Sequence, residues 1–145
     1  MILAGDVGGT KTLLALFEPA DRRPVPVALH SYVTLDHPSF TDILNAFARD
    51  VERPFTVTAA VAGVAGPVIG GRARLTNVPW DVAADEFTAR FGTPHAALLN
   101  DLEAMANSVD VLAHEEIATL QDGVRRMDGN AVVIAAGTGL GQAYL

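Results

Sequence analysis

The chain has no cysteine. Disulfides, thiolate metal sites and cysteine nucleophiles are therefore excluded. It has one lysine, Lys11, and only 10 basic residues against 17 acidic ones, a formal net charge of −7. That balance cannot build the basic surface that nucleic acid or an anionic membrane recruits, so neither is expected as a partner. The four histidines are scattered and make no metal-ligand spacing. Uncharged stretches occur at residues 54–71 and 129–145, but glycines interrupt both and Pro67 the first. A membrane-spanning helix needs about 20 mostly apolar residues, and buried strands flanked by glycine turns account for these stretches better. The opening Met1-Ile2-Leu3-Ala4-Gly5-Asp6 has no basic segment and meets an acid at once. No secretory signal is read there, and the expected location is the cytoplasm.

What is present is a chain of 145 residues, half of them hydrophobic and 19% charged. That composition excludes intrinsic disorder and suits one domain with a core. The pattern along the chain predicts an α/β fold. Residues 2–7 and 10–17 read as two strands joined by a glycine turn, and 25–35 as a third. Ser39 caps a predicted helix to about Asp50, with Phe40, Ile43, Leu44, Phe47 and Val51 at helical spacing. Alternation over residues 55–63 predicts a strand, and 72–76 a short one. A helix is expected over 82–91 with Asp81 as cap and Gly92 as stop. A buried strand over 95–99 leads into a helix from Asp101 to about Leu112, with Leu102, Met105, Val109 and Leu112 on one face. A small strand is expected over 117–120, a buried one over 131–136, and another from Gln142. The result is a mixed sheet that opens with an antiparallel meander and is flanked by helices.

Four segments could carry chemistry. In Gly5-Asp6-Val7-Gly8-Gly9-Thr10 the glycine amides could approach an anion with no Cβ in the way, and Thr10 adds a hydroxyl. Asp6, at the end of the first strand, could hold Mg²⁺ through water. A strand rather than a helix follows, which excludes a Walker A loop and the dinucleotide fingerprint. The segment reads equally well as an ordinary hairpin turn. Gly137-Thr138-Gly139-Leu140-Gly141 repeats the strand–glycine–threonine–strand pattern, and the two loops could hold different parts of a polyphosphate. Asn100-Asp101 falls where a buried strand ends and a helix begins, a place where ligands of α/β sheets gather. A carboxylate there could act as a general base toward a hydroxyl, and helix capping explains the same residues. Residues 63–80 contain Gly66-Pro67 and Thr76-Asn77 with Trp80 beyond, parts that suit a sugar site; for Trp80 a place in the core is favoured. Lys11 tempts a phosphate role, although a solvent-facing lysine is the ordinary case.

In this order, Gly5 to Thr10, Gly66-Pro67, Thr76-Asn77, Trp80, Asn100-Asp101 and Gly137 to Gly141 resemble the bacterial glucokinase family of the actin/hexokinase/Hsp70 superfamily. The likeness runs over essentially the whole chain. It implies an RNase H-like domain and transfer of a phosphoryl group from ATP, with Mg²⁺, to the 6-hydroxyl of a hexose such as glucose, the first step of glycolysis. Gly5, Asp6, Val7, Gly8, Gly9 and Thr10 would form a first phosphate loop and Gly137, Thr138 and Gly139 a second. Asn100 and Asn77 would contact sugar hydroxyls, and Asp101 would be substrate contact and base. The resemblance also implies a chain about twice this length. Residues 1–145 would then be an N-terminal small domain, inactive alone, whose larger partner domain supplies more sugar contacts and the adenine pocket. A homodimer is left open. Kinases for fructose or an aminosugar are alternatives that these residues do not separate; a sugar-sensing repressor is a weaker one for so acidic a chain, and Asn100-Asp101 with Thr76-Asn77 speaks for a sugar over an actin-like ATPase.

Overall fold

The computed structural model describes residues 1–124, 126, 129–136 and 140–144. The described chain forms two compact units, Met1–Asp101 and Leu102–Leu145.

The first unit is built on a five-stranded sheet. Strands β1 (Ile2–Val7), β2 (Lys11–Glu18) and β3 (Val25–Val33) form the expected antiparallel meander. On its other side β1 pairs in parallel with β4 (Ala59–Val64), and β4 in parallel with β8 (Ala96–Asn100), giving the order β3-β2-β1-β4-β8. A smaller antiparallel sheet joins β5 (Val68–Ile69), β6 (Arg72–Arg74) and β7 (Asp81–Ala83). Pro26 lies in β3 at the sheet edge, where a missing N–H costs no ladder bond.

Period-two alternation places Leu3, Val7, Thr12, Leu14 and Leu16 on one face of the sheet, all fully buried. Helix α1 (Phe40–Asp50) covers them with Phe40, Ile43, Leu44 and Phe47, the stripe that the spacing predicts. Ser39 caps it as expected, its Oγ accepting from the Asp42 N–H at 3.1 Å. Helix α2 (Ala84–Phe91) adds Phe87, edge-on to Phe40 with ring centroids 5.3 Å apart. Full burial of such side chains contributes about 1.5–3 kcal/mol each. Tyr32 closes the β3 side of this core. Its hydroxyl donates to Asp50 Oδ2 at 2.9 Å, and burial together with that carboxylate pushes the phenol well above its ordinary pKa.

Several boundaries differ from the sequence expectation. The strand expected over 55–63 begins at Ala59, because its ladder partner β1 starts at Ile2, directly opposite Ala59. Asp81 does not cap α2. It sits in β7 and meets Arg74 at 3.0 Å, while the Glu86 carboxylate reaches back to the N–H of Ala83 at 3.0 Å. Gly92 does end α2, at φ +67° with its N–H on the Thr88 carbonyl.

Helix α3 (Asp101–Ser108) starts where the first unit ends and stops short of Leu112. The Ser108 hydroxyl donates to the Met105 carbonyl at 2.7 Å, and a 3₁₀ turn over Val109–Val111 follows. Back-bonding by serine and β-branched valines on either side of Asp110 both disfavour α-helical continuation. Ala106 is the buried residue of α3, whereas Met105, Val109 and Leu112 are exposed. In the second unit β9 (Val132–Ala136) and β10 (Leu140–Tyr144) pair antiparallel; β10 begins before the expected Gln142, and β9 is not the buried strand expected, with Val132 and Ile134 exposed. Residues 117–120 form no strand; a 3₁₀ turn (His114–Glu116) precedes them.

Candidate functional site

The parallel pairing of β1, β4 and β8 decides what lies together. Val7 is in register with Val64, and Val64 with Asn100. Three carboxyl ends therefore stand side by side, roughly 5 Å from strand to strand. They deliver Gly8-Gly9, Ala65-Gly66 and Asn100-Asp101 to one edge of the sheet. Three segments that the sequence reading kept separate thus become neighbours, outside the strand ends where ligands of such sheets bind.

Hydrogen bonds tie these ends to one another. The Ala65 N–H donates to the Val7 carbonyl at 3.1 Å. Asn100 Nδ2 donates to the Gly66 carbonyl at 3.0 Å. The amide of Asn100 is thereby anchored to the loop that follows β4, and its place is set by tertiary structure rather than by its own strand. Asp101, the first residue of α3, is exposed. Asp6 and Thr10 are exposed as well, and Lys11 points to solvent as a lysine usually does. Asn77 is exposed and adjoins the first loop: a Cβ built on Gly9 would stand 3.9 Å from the Cβ of Asn77. Trp80 is half-buried against the core, with its indole N–H donating to the His37 carbonyl at 3.0 Å. Trp80 thus has the core place that the sequence reading favoured.

The first loop is a tight turn whose glycines are not there for left-handed backbone. Neither Gly8 nor Gly9 has positive φ. Gly8 is required by space, because a Cβ there would meet the Lys11 carbonyl oxygen at 3.0 Å, and the Gly8 N–H donates to that same oxygen. Gly5 is equally confined, between Ala62 and Leu14. Gly9 has no such crowding.

Two residues beneath this turn escaped the sequence reading. Thr12 and Thr34 are fully buried. Their hydroxyl oxygens lie 2.9 Å apart, and the Thr34 hydroxyl also donates to the Gly8 carbonyl at 2.8 Å. The available signal was parity. Thr12 shares the inward face of β2 with Leu14 and Leu16, and a buried hydroxyl needs a partner.

Among the described residues no group of three or more acidic or histidine side chains could hold a metal ion. Asp6 by itself suits a metal only through water. The second expected phosphate loop, Gly137, Thr138 and Gly139, lies outside the described residues. Among the described residues no helix is long and apolar enough to cross a membrane.

The glucokinase family model matches residues 3–145. The chain belongs to the glucokinase family. It is 34% identical to a glucokinase of Nostoc punctiforme over 146 aligned positions, which take in all of this chain and 42% of that protein. A glucokinase structure from an Antarctic psychrotroph superposes with a TM-score of 0.88 at 28% identity, over 99% of this chain and 45% of that one. A ROK-family glucokinase from Streptomyces griseus, in complex with glucose and AMPPNP, shares the fold with a TM-score of 0.66 at 22% identity, over 99% and 44%. The chain thus spans about two fifths of the length of the curated relatives it matches. The fold is the actin/hexokinase type expected from the motifs, a mixed α/β architecture with an antiparallel opening.

Proposed function

We propose that this chain is the N-terminal part of an ATP-dependent glucokinase and carries one wall of its cleft. The observation behind the reading is the juxtaposition of a glycine turn with Asn100-Asp101 on one sheet edge, in a member of the glucokinase family. Phosphoryl transfer asks a protein mainly to position two substrates and to stabilise charge. A phosphate cradle and a carboxylate about two strand spacings apart suit that task.

In this reading the Gly8–Thr10 turn offers amide and hydroxyl donors to ATP phosphates, and Gly137-Thr138-Gly139 forms the second phosphate loop. Asn100, fixed by its bond to Gly66, and Asn77 orient the sugar. Asp101 accepts the proton of the attacking hydroxyl, a contribution of about 10²–10⁴-fold for a well-placed general base. Mg²⁺ would neutralise phosphate charge, with Asp6 held to it through water. The solved Streptomyces griseus relative holds glucose and an ATP analogue, which supports this ligand pair. A cytoplasmic site of action follows from such substrates.

The rest of the relatives' length would supply the second wall. Phosphoryl transfer needs a closed cleft from which water is excluded. Residues 1–145 alone should therefore release no ADP in the presence of glucose and ATP, whereas the full-length protein should do so readily. A coupled assay over glucose, fructose, mannose and glucosamine checks both points. Turnover by the 145-residue chain, or a full-length protein that prefers another sugar, would overturn the respective part of the proposal.

A further inference from the structure

We infer that Thr34 is a positioning residue for nucleotide, aiming the Gly9 N–H out of the turn by holding the Gly8 carbonyl from beneath. The inference rests on the phosphate-loop reading above. What it adds is the support beneath that loop, Thr12 and Thr34, which that reading does not use.

A hydrogen count fixes the direction of the buried hydroxyl chain. Each threonine has one hydroxyl proton. The Gly8 carbonyl can only accept, so the Thr34 proton is committed to it at 2.8 Å. The 2.9 Å contact between the two hydroxyls is then made by Thr12 donating to Thr34. The chain runs Thr12 to Thr34 to the Gly8 carbonyl, and both side chains are sealed from solvent. The backbone of Thr34 joins in, its N–H donating to the Thr10 carbonyl at 3.0 Å. Residue 34 therefore grips the turn at both Gly8 and Thr10.

The consequence for Gly9 follows from the planar peptide. The peptide bond between Gly8 and Gly9 is trans, so the carbonyl of Gly8 and the N–H of Gly9 point in opposite directions. A carbonyl drawn inward to Thr34 turns the next N–H outward. The bonds that hold the turn use the Gly8 N–H and the carbonyls of Gly8, Thr10 and Lys11; the Gly9 N–H is not among their donors. An amide preset in this way meets an anionic phosphate without first reorganising, which is how a fixed donor contributes to binding.

The test is made in the full-length protein with Thr34→Val and Thr34→Ser. The readouts are apparent KM for ATP and for glucose, kcat, and the Kd of ADP by calorimetry. Thr34→Val should raise the KM for ATP and the Kd of ADP about tenfold, one well-placed bond to a charged group, and shift the KM for glucose less than about twofold. Thr34→Ser keeps the hydroxyl and should stay within about threefold of wild type. If Thr34→Val does not accumulate in soluble form, Thr34→Ala is read in its place, since it deletes the same hydroxyl. Unchanged ADP affinity on loss of the hydroxyl would overturn the inference. So would equal losses for ADP and glucose, or a serine variant as impaired as valine. Wild-type protein that binds no ADP would instead sink the phosphate-loop reading itself, and that is visible before any variant is made.

Discussion

Two glycine pairs turn the chain in the first unit, for different reasons. Gly70-Gly71 joins β5 to β6 with φ of +58° and +73°, the left-handed backbone that a two-residue hairpin turn of type I′ requires. A Cβ on either would meet little: nothing within 4 Å at Gly70 and Ala84 at 3.8 Å from Gly71. Gly8-Gly9 joins β1 to β2 with no positive φ at all. There the constraint is space at Gly8 and openness at Gly9, and the turn is held from below by a second element through Thr34. One turn is shaped by its own backbone. The other is shaped by what surrounds it and presents an amide to solvent. Glycine-rich spacing alone does not distinguish a turn that shapes the chain from one that can bind.

On that contrast, substitutions of Gly9 and Asp101 should cost activity and spare stability, and those at Gly70-Gly71 should do the reverse. The largest effect is expected from Asp101→Asn in the full-length protein. It should lower kcat by about 10²–10⁴-fold with sugar affinity nearly intact. Asparagine opens a helix about as well as aspartate, so the melting temperature should scarcely move. Wild-type kcat in this variant would remove Asp101 from the chemistry and leave it a role at the helix start alone.

Next comes Gly9→Val. Its backbone tolerates a side chain and its nearest neighbour is at ordinary contact distance, so unfolding free energy should fall by no more than about 0.5 kcal/mol, as for most surface changes. The apparent KM for ATP should nevertheless rise about tenfold or more, because a side chain would occupy the phosphate approach. Unaltered ATP kinetics would erase the distinction between the two turns.

Gly8→Ala and Gly71→Ala sharpen the contrast on the stability side. The first places a methyl 3.0 Å from a backbone oxygen that cannot move aside without opening the hairpin, and overpacking of this kind costs about 1–3 kcal/mol. The second forces a side chain into left-handed backbone, at about 1–2 kcal/mol, and should leave KM and kcat unchanged. Urea titration beside steady-state kinetics separates the two.

The smallest effect concerns β3, which leads to Thr34. Tyr32 holds its proton more tightly when folded, through burial and the bond to Asp50. A phenol whose pKa is raised on folding contributes stability in full below the unfolded value of about 10, and loses it as pH climbs beyond. Stability should therefore fall between pH 9 and 11, and less steeply in Tyr32→Phe. Equal slopes in the two proteins would remove Tyr32 from the account.

Much of the fold could be read from periodicity. The stripe from Phe40 to Phe47 with Ser39 as cap, the opening meander and the Gly92 stop all follow from local pattern, and all are present. The errors came where a partner decides. Asp81 resembles a cap in sequence, but Arg74 across the β6–β7 ladder and Glu86 from the first turn of α2 claim the two roles. The helix from Asp101 ended early because Ser108 bonds back to a carbonyl, a choice invisible to a hydrophobic stripe.

The candidate site divides in the same way. Residue types and their order were enough to mark Gly8-Gly9, Asn77 and Asn100-Asp101, because glycine, amide and carboxylate carry their chemistry wherever they stand. That they share one edge was decided by the parallel register of β1, β4 and β8, which joins residues nearly a hundred positions apart. The seat of the turn on Thr34 was decided by tertiary structure alone. A threonine among apolar neighbours shows that a hydroxyl is buried. Which carbonyl it will hold depends on the ladder between β2 and β3, and a ladder is a relation between segments that neither contains by itself.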